Sequence, residues 1–255
     1  MSKNLVTVAR DTLGVISSGH YTNKQGKSVA VDLRPMMDGE KVHLSPTTLP
    51  APGRPTMNIS VTSESSLEAC RRLGDGVGLL SFASAHRPGG GFLSGAQAQE
   101  ESIARSSGLY ASLMYAKEFY KANKHSSALY TDAAIWSPHV PIFKDDSGAP
   151  LDKPHHANVL TIPAPNAGAW LLSGSARELD ASLNRRMEVM FSRFTEHGAK
   201  DLVLGAWGCG VFGNDPEVVA WAFKNALKKW PFDSATFAIY RGGEVANTFK
   251  RVLLS

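Results

Sequence analysis

Residues 77–101 read VGLLSFASAHRPGGGFLSGAQAQEE, and the change of pattern inside this stretch decides the fold. The opening run, 77–83, is mostly apolar, as expected of a strand covered on both faces. His86, Arg87 and Pro88 follow, then three consecutive glycines, Gly89, Gly90 and Gly91, through which no regular element continues. From Gln99 the pattern turns helical and runs to about residue 123. Strand, glycine-rich loop and helix form the repeating unit of an α/β sheet, where ligands bind beyond the carboxyl ends of strands.

The same succession returns at residues 201–216, DLVLGAWGCGVFGNDP. An apolar strand over 201–206 leads into a second glycine-rich loop, then a helix from Pro216 to about residue 230. Pro216 suits a first helical turn, where no backbone donor is required. Further strands are expected at 58–61, 135–143, 158–162 and 235–240, the last closing the sheet. Helices are expected at 3–18, at 176–197 with Gly198 as stop, and through residue 73. Thr62 or Ser63 is the expected cap of that last helix, with Glu64 near its positive end. Residues 21–33 read as a hairpin about the polar turn 23–27, and 46–55, with four prolines, as an irregular connection. With no internal repeat and no linker-like shift in composition, one domain over residues 1–255 is expected. It is a three-layer α/β/α sandwich with a mixed sheet and an N-terminal helical and hairpin extension at about 1–57.

At 255 residues the chain can bury roughly 70–75% of its unfolded surface, so neither disulfides nor metals are needed to hold it. The net charge of +4 steers weakly toward polyanions. Cys70 and Cys209, the only cysteines, make no disulfide framework and point to a reducing compartment. No apolar run reaches 18 residues and residues 1–14 lack a signal-peptide core, so a cytoplasmic location and no membrane contact are expected, or the nucleus in a eukaryote. A monomer is expected.

Glycines at strand ends let backbone N–H groups approach a phosphate, and a helix N-terminus adds favourable partial charge. Neither loop has the GxGxxG spacing of a dinucleotide fold or the lysine of a P-loop. One such loop could serve turns and packing alone; two at strand-to-helix junctions point to a diphosphate cradle. Glu100 and Glu101 are consecutive at a helix start, so their side chains diverge by about 100° and cannot form the facing pair of most glycosidases. Acidic residues there also offset the helix dipole; their position just after the triple-glycine loop is what points to chemistry. The eight histidines show no metal-ligand spacing, and His155 and His156 are expected on a loop or surface. His86 is a candidate for substrate contact. Cys209 reads as a space-filler rather than a nucleophile, and Trp207, Trp221 and Trp230 as core or rim. The pairs Arg71-Arg72, Arg185-Arg186 and Lys228-Lys229 read as solvated helix faces.

The arrangement GGG, seven residues, QEE resembles the signature of the poly(ADP-ribose) glycohydrolases. The words around it, with IPAPNAGA at 162–169 and LGAWGCGVFGNDP at 204–216, resemble the shorter microbial type over about residues 75–230. The resemblance implies a macrodomain-like fold and hydrolysis of the O-glycosidic ribose–ribose bond of poly(ADP-ribose) without cofactor or metal. ADP-ribose would be the product, and an exo-acting mode is implied. It assigns catalysis to Glu101, ribose orientation to Glu100 and loop support to Gln99. Gly89, Gly90 and Gly91 would lie along the distal ribose and diphosphate. Gly208, Cys209, Gly210, Val211 and Phe212 would form the diphosphate loop, with Phe212 stacking over the adenosine-side ribose or the adenine, and Asn166 would form a wall. Such a reaction needs leaving-oxygen protonation and hence a carboxyl of raised pKa. A helix start opposes that, so desolvation or charge repulsion must outweigh the dipole. Three alternatives stand beside this reading. One is a non-catalytic ADP-ribose reader, against which the intact QEE argues. Another is a hydrolase of mono-ADP-ribosylated protein or nucleic acid. The third is a nucleotide-sugar or phosphate-ester hydrolase, for which a metal-ligand cluster would be expected.

Overall fold

The computed structural model describes residues 4–46, 58–230 and 232–255. The chain starts with α1 (Leu5–Ser18), the hairpin β1 (His20–Thr22) and β2 (Ser28–Ala30), then α2 (Arg34–Gly39) and β3 (Lys41–His43). β4 (Asn58–Thr62), α3 (Ser66–Leu73) and β5 (Gly78–Phe82) lead to α4 (Gln99–Ser106), α5 (Leu109–Tyr115) and α6 (Lys117–Asn123). The long pair β6 (Ala134–Lys144) and β7 (Pro150–Ile162) precedes α7 (Ala167–Trp170) and α8 (Ala176–Glu196). β8 (Asp201–Leu204), α9 (Pro216–Leu227), β9 (Ser234–Ala238) and α10 (Gly243–Leu253) complete it.

The seven-stranded sheet has the order β3-β6-β7-β5-β8-β9-β4. β7, β5, β8, β9 and β4 run parallel, and β6 runs against both its neighbours. Successive side chains of a strand point to opposite faces. Leu80, Leu202 and Leu204 therefore join the core under α8, α9 and α10, with Phe191, Phe223 and Phe249. Leu79 and Val203 join the opposite core under α3, α5 and α6, with Leu67, Leu113 and Phe119. Both faces of β5 and β8 are covered, which explains their uninterrupted apolar runs. α1 packs on α4, with Ala9, Phe92 and Ala104 in one small cluster. No described helix is long and apolar enough to cross a membrane.

Several expectations need correction. The helix expected over 99–123 is three. Ser107 turns extended (φ −144°, ψ 176°) and bridges Ile142, while Gly108 N–H donates to Pro141 O at 2.9 Å, so β6 pulls the chain out of helix. The cap of α3 is Ser65, in a reciprocal capping box with Glu68; Glu64 pairs with Arg72 instead. β7 begins at Pro150, which puts His155 and His156 on a strand paired with β6. β9 lies inside the sheet, and β4 is the edge. α2, β3, α7 and α10 were not expected from the pattern. Of the proline-rich connection, residues 47–55 lie outside the described residues.

Candidate active site at the ends of β5 and β8

The loop leaving β5 folds back on itself before entering α4. Gly90 N–H donates to Arg87 O at 2.9 Å, Phe92 N–H to Gly89 O at 3.2 Å and Ser94 N–H to Gly91 O at 3.0 Å, ending in a 3-10 turn at Phe92–Ser94. Gln99 then anchors the helix start. Its Oε1 accepts from Phe82 N–H at 2.9 Å, and its Nε2 donates to Leu80 O at 2.6 Å and Ser66 Oγ at 3.2 Å. Those β5 groups lie past Leu79, where pairing with β8 stops.

The two carboxylates sit on this frame in different ways. Glu100 is 2% exposed, and its Oε2 accepts from Ser84 N–H at 2.6 Å. Burial pushes its carboxyl up to about 8; the Ser84 hydrogen bond opposes this and the Glu101 charge adds to it. Its Oε1 is buried with no hydrogen-bond partner among the described residues. Glu101, 9% exposed, accepts from Gly91 N–H through Oε1 at 2.9 Å. Gly90 makes this approach possible. Its φ is +59°, which favours glycine, and a Cβ there would overlap the Glu101 carboxylate and displace it. Arg105, one turn beyond Glu101, donates to Ala96 O at 2.5 Å and so fixes the returning limb of the loop.

The loop after β8, the adjacent strand, is held by neutral groups. Asn214 Nδ2 donates to Pro165 O at 2.8 Å and Gly208 O at 3.0 Å. Gly208 has φ +76°, and a Cβ would stand 2.6 Å from both Ala164 Cβ and Asn214 Nδ2. Trp207, fully buried, donates through Nε1 to Ile162 O at 3.1 Å. Burial, then Asp215, pushes the Cys209 thiol up to about 12, which removes it as a thiolate nucleophile near neutrality. Val211 is 91% exposed at the loop tip. Phe212 O accepts from Gly168 N–H at 3.0 Å. Asn166 caps α7, its side chain accepting from Ala169 N–H at 3.1 Å.

Between the loops a cleft of about 590 Å³ is lined by Phe82, Gln99, Cys209, Gly210 and Tyr240, with Leu5 of α1 also in its wall. It lies over β5, β8 and β9. On the β7 side the rings of Phe212 and Tyr130 are 5.8 Å apart and those of Tyr130 and His86 5.5 Å. Gly89, Gly90, Gly91, Gln99, Glu100 and Glu101 thus converge at the end of β5, and Gly208, Cys209, Gly210, Val211 and Phe212 beside them at β8. Asn166 joins through the Gly168–Phe212 hydrogen bond. Ser84 and Tyr130 carry no local motif, because each acts through chain segments distant in sequence. Asn214 stands inside the glycine-rich stretch, but its bond to Pro165 O is not readable there. Arg186, expected with Arg185 on a solvated helix face, is instead wholly buried, paired with Asp132 and bonded to Pro163 O and Leu129 O.

The sequence showed no metal-ligand spacing, and the cluster that three dimensions assemble lies elsewhere. His43, Glu196 and His197 meet where β3 and α8 end, with the two Nε2 atoms 3.0 Å apart. None of them belongs to the glycine loops.

The family profile described as microbial-type PARG (poly(ADP-ribose) glycohydrolase), catalytic domain, matches residues 9–145. The fold is similar to that of the poly(ADP-ribose) glycohydrolase from Thermomonospora curvata, with 38% identity, 97% of this chain and 98% of that one covered, and a TM-score of 0.89. It is similar to the same enzyme bound to the inhibitor ADP-HPD at a TM-score of 0.87, with the same identity and coverage. The poly(ADP-ribose) glycohydrolase from Deinococcus radiodurans in complex with ADP-ribose matches at 37% identity, 87% of this chain and 96% of that one, with a TM-score of 0.78. No curated protein matches.

Proposed function

Because the chain belongs to the microbial-type poly(ADP-ribose) glycohydrolases, we propose that it hydrolyses the ribose–ribose bond of poly(ADP-ribose) with Glu101 as general acid and base. It is a glycosidase of that polymer with a macrodomain-like fold, and ADP-ribose is the product it binds. The observation that carries the residue assignment is the pair of carboxylates on the glycine loop. Glu101 is bonded to Gly91 N–H, and Glu100 keeps a buried oxygen without a partner among the described residues, the kind of group a ribose hydroxyl would satisfy.

As the C1–O bond breaks, its electron pair goes to the leaving ribose oxygen, which takes the proton of Glu101. The resulting Glu101 carboxylate then accepts a proton from the water that adds to the oxocarbenium carbon, and the acid is restored. Glu100 orients the ribose. The backbone amides of both glycine loops, Gly208 and Gly210 included, hold the diphosphate. The 590 Å³ cleft takes the adenosine end, within the usual size range of nucleotide pockets. Phe212 does not line that cleft, which supports its contact with the distal ribose rather than the base. Asn166 borders the same sugar through the α7 turn. Leu5 in the cleft wall supports exo action, because α1 then borders the adenosine end, where a continuing polymer would have to pass. Residues 1–255 act as one catalytic domain, with α1 and the hairpin as its extension. Two free thiols support a reducing, cytoplasmic setting.

Glu101→Gln should lower turnover of poly(ADP-ribose) by roughly 10²–10⁴-fold, while calorimetry still detects ADP-ribose binding. Turnover close to that of the wild type would overturn the assignment.

A further inference from the structure

This inference rests on the reading of residues 84–101 as the glycosidase centre. When poly(ADP-ribose) is cut, the departing group is the 2′-oxygen of an adenosine, so an adenine sits on C1′, the carbon adjacent to the one that bears the leaving oxygen. Strand order gives the direction in which it departs. The nucleoside cleft lies over β5, β8 and β9, the carboxylates of α4 stand beyond the end of β5, bonded to Ser84 and Gly91 N–H, and the leaving half therefore faces β7 and β6.

Tyr130 occupies that side, in the turn before β6. It is half-buried and has φ 57°, a left-handed conformation that residues bearing a Cβ seldom adopt. Arg186, wholly buried, holds it there. The guanidinium donates to Leu129 O at 2.7 Å, to Tyr130 O at 3.4 Å and to Pro163 O at 2.9 Å, and pairs with Asp132 at 3.2 Å. The ring's aromatic neighbours come from the two glycine loops: His86, exposed, at 5.5 Å and nearly perpendicular (81°), and Phe212 at 5.8 Å. A rigidly held ring with an open neighbour at right angles makes a corner in which a planar base stacks on one ring and meets the edge of the other.

We propose that Tyr130 and His86 seat the adenine of the leaving unit, so that the site prefers a nucleoside leaving group to one without a base. Arg186 is the positioning residue. The test compares two substrates that share the scissile bond and the leaving ribose: di(ADP-ribose), and ADP-ribose joined through the same bond to a methyl riboside. Tyr130→Leu should shrink the wild-type preference in kcat/KM for di(ADP-ribose) by roughly ten- to a hundredfold, and Tyr130→Phe should restore it. A parallel fall on both substrates, with the ratio preserved, would reduce Tyr130 to a structural support and overturn the proposal. A wild type that cleaves neither substrate would overturn the underlying reading of the centre, and the proposal with it.

Discussion

The loop after β5 presents two carboxylates to its own backbone amides, Glu101 to Gly91 and Glu100 to Ser84. The loop after β8 presents amides with scarcely a titratable side chain among them. Its thiol is pushed far from neutrality, and Asp215 is occupied in capping α9 through Glu217 N–H. Both leave a buried strand, both turn on glycines and both end at a helix. The contrast teaches that glycine loops at strand ends provide a common backbone, and that reactivity is added by what the following helix carries in its first turn.

The contrast can be broken most severely at Gly90. Gly90→Ala forces a methyl into the Glu101 carboxylate and should cost about 1–3 kcal/mol, with activity down about 10²-fold through a misplaced acid. Thermal unfolding and polymer turnover measured together check this, and retention of both would mean that Glu101 is held less tightly than its contacts imply.

The second prediction concerns pH. The Glu100 carboxyl is more easily protonated folded than unfolded. Its contribution to stability is therefore complete below the ordinary glutamate range and declines as pH rises to about 8, at up to about 1.4 kcal/mol per pH unit. Subtracting the denaturation curves of Glu100→Gln from those of the wild type across this range should expose that slope. A flat difference would deny the buried carboxyl its raised pKa.

On the β8 side the effects should carry no titration. Asn214→Ala strands Pro165 O and Gly208 O and should cost about 1–3 kcal/mol with no new pH dependence. Gly210→Ala should be the mildest. No heavy atom of the described residues lies within 4 Å of the added Cβ, so chemical denaturation should move by about 0.5 kcal/mol or less, and any larger effect should appear only as weaker ADP-ribose binding.

The two loops were legible because apolar runs and glycine clusters are local signals. So was the position of Gln99, Glu100 and Glu101 at a helix start, to which the family resemblance adds the roles proposed for them. The division of residues 99–123 into α4, α5 and α6 was not legible, since it depends on Ser107 and Gly108 finding partners on β6. Residues 150–157 were passed over because LDKPHH looks polar; their strand character comes from pairing with β6. Tyr130 carries no mark at all in the sequence. Its position follows from Arg186, 56 residues away in the chain, and from two rings brought in by separate loops.

Gln99 has one more consequence. Its side-chain amide meets Phe82 N–H and Leu80 O as the peptide group of an adjoining strand would, so the sheet's own spacing dictates how high the two acids stand. Asparagine would fall one methylene short, and glutamate would offer Leu80 O no proton. Anyone grafting this acid pair onto another scaffold must therefore bring the impersonating amide and a strand with two open peptide groups to receive it.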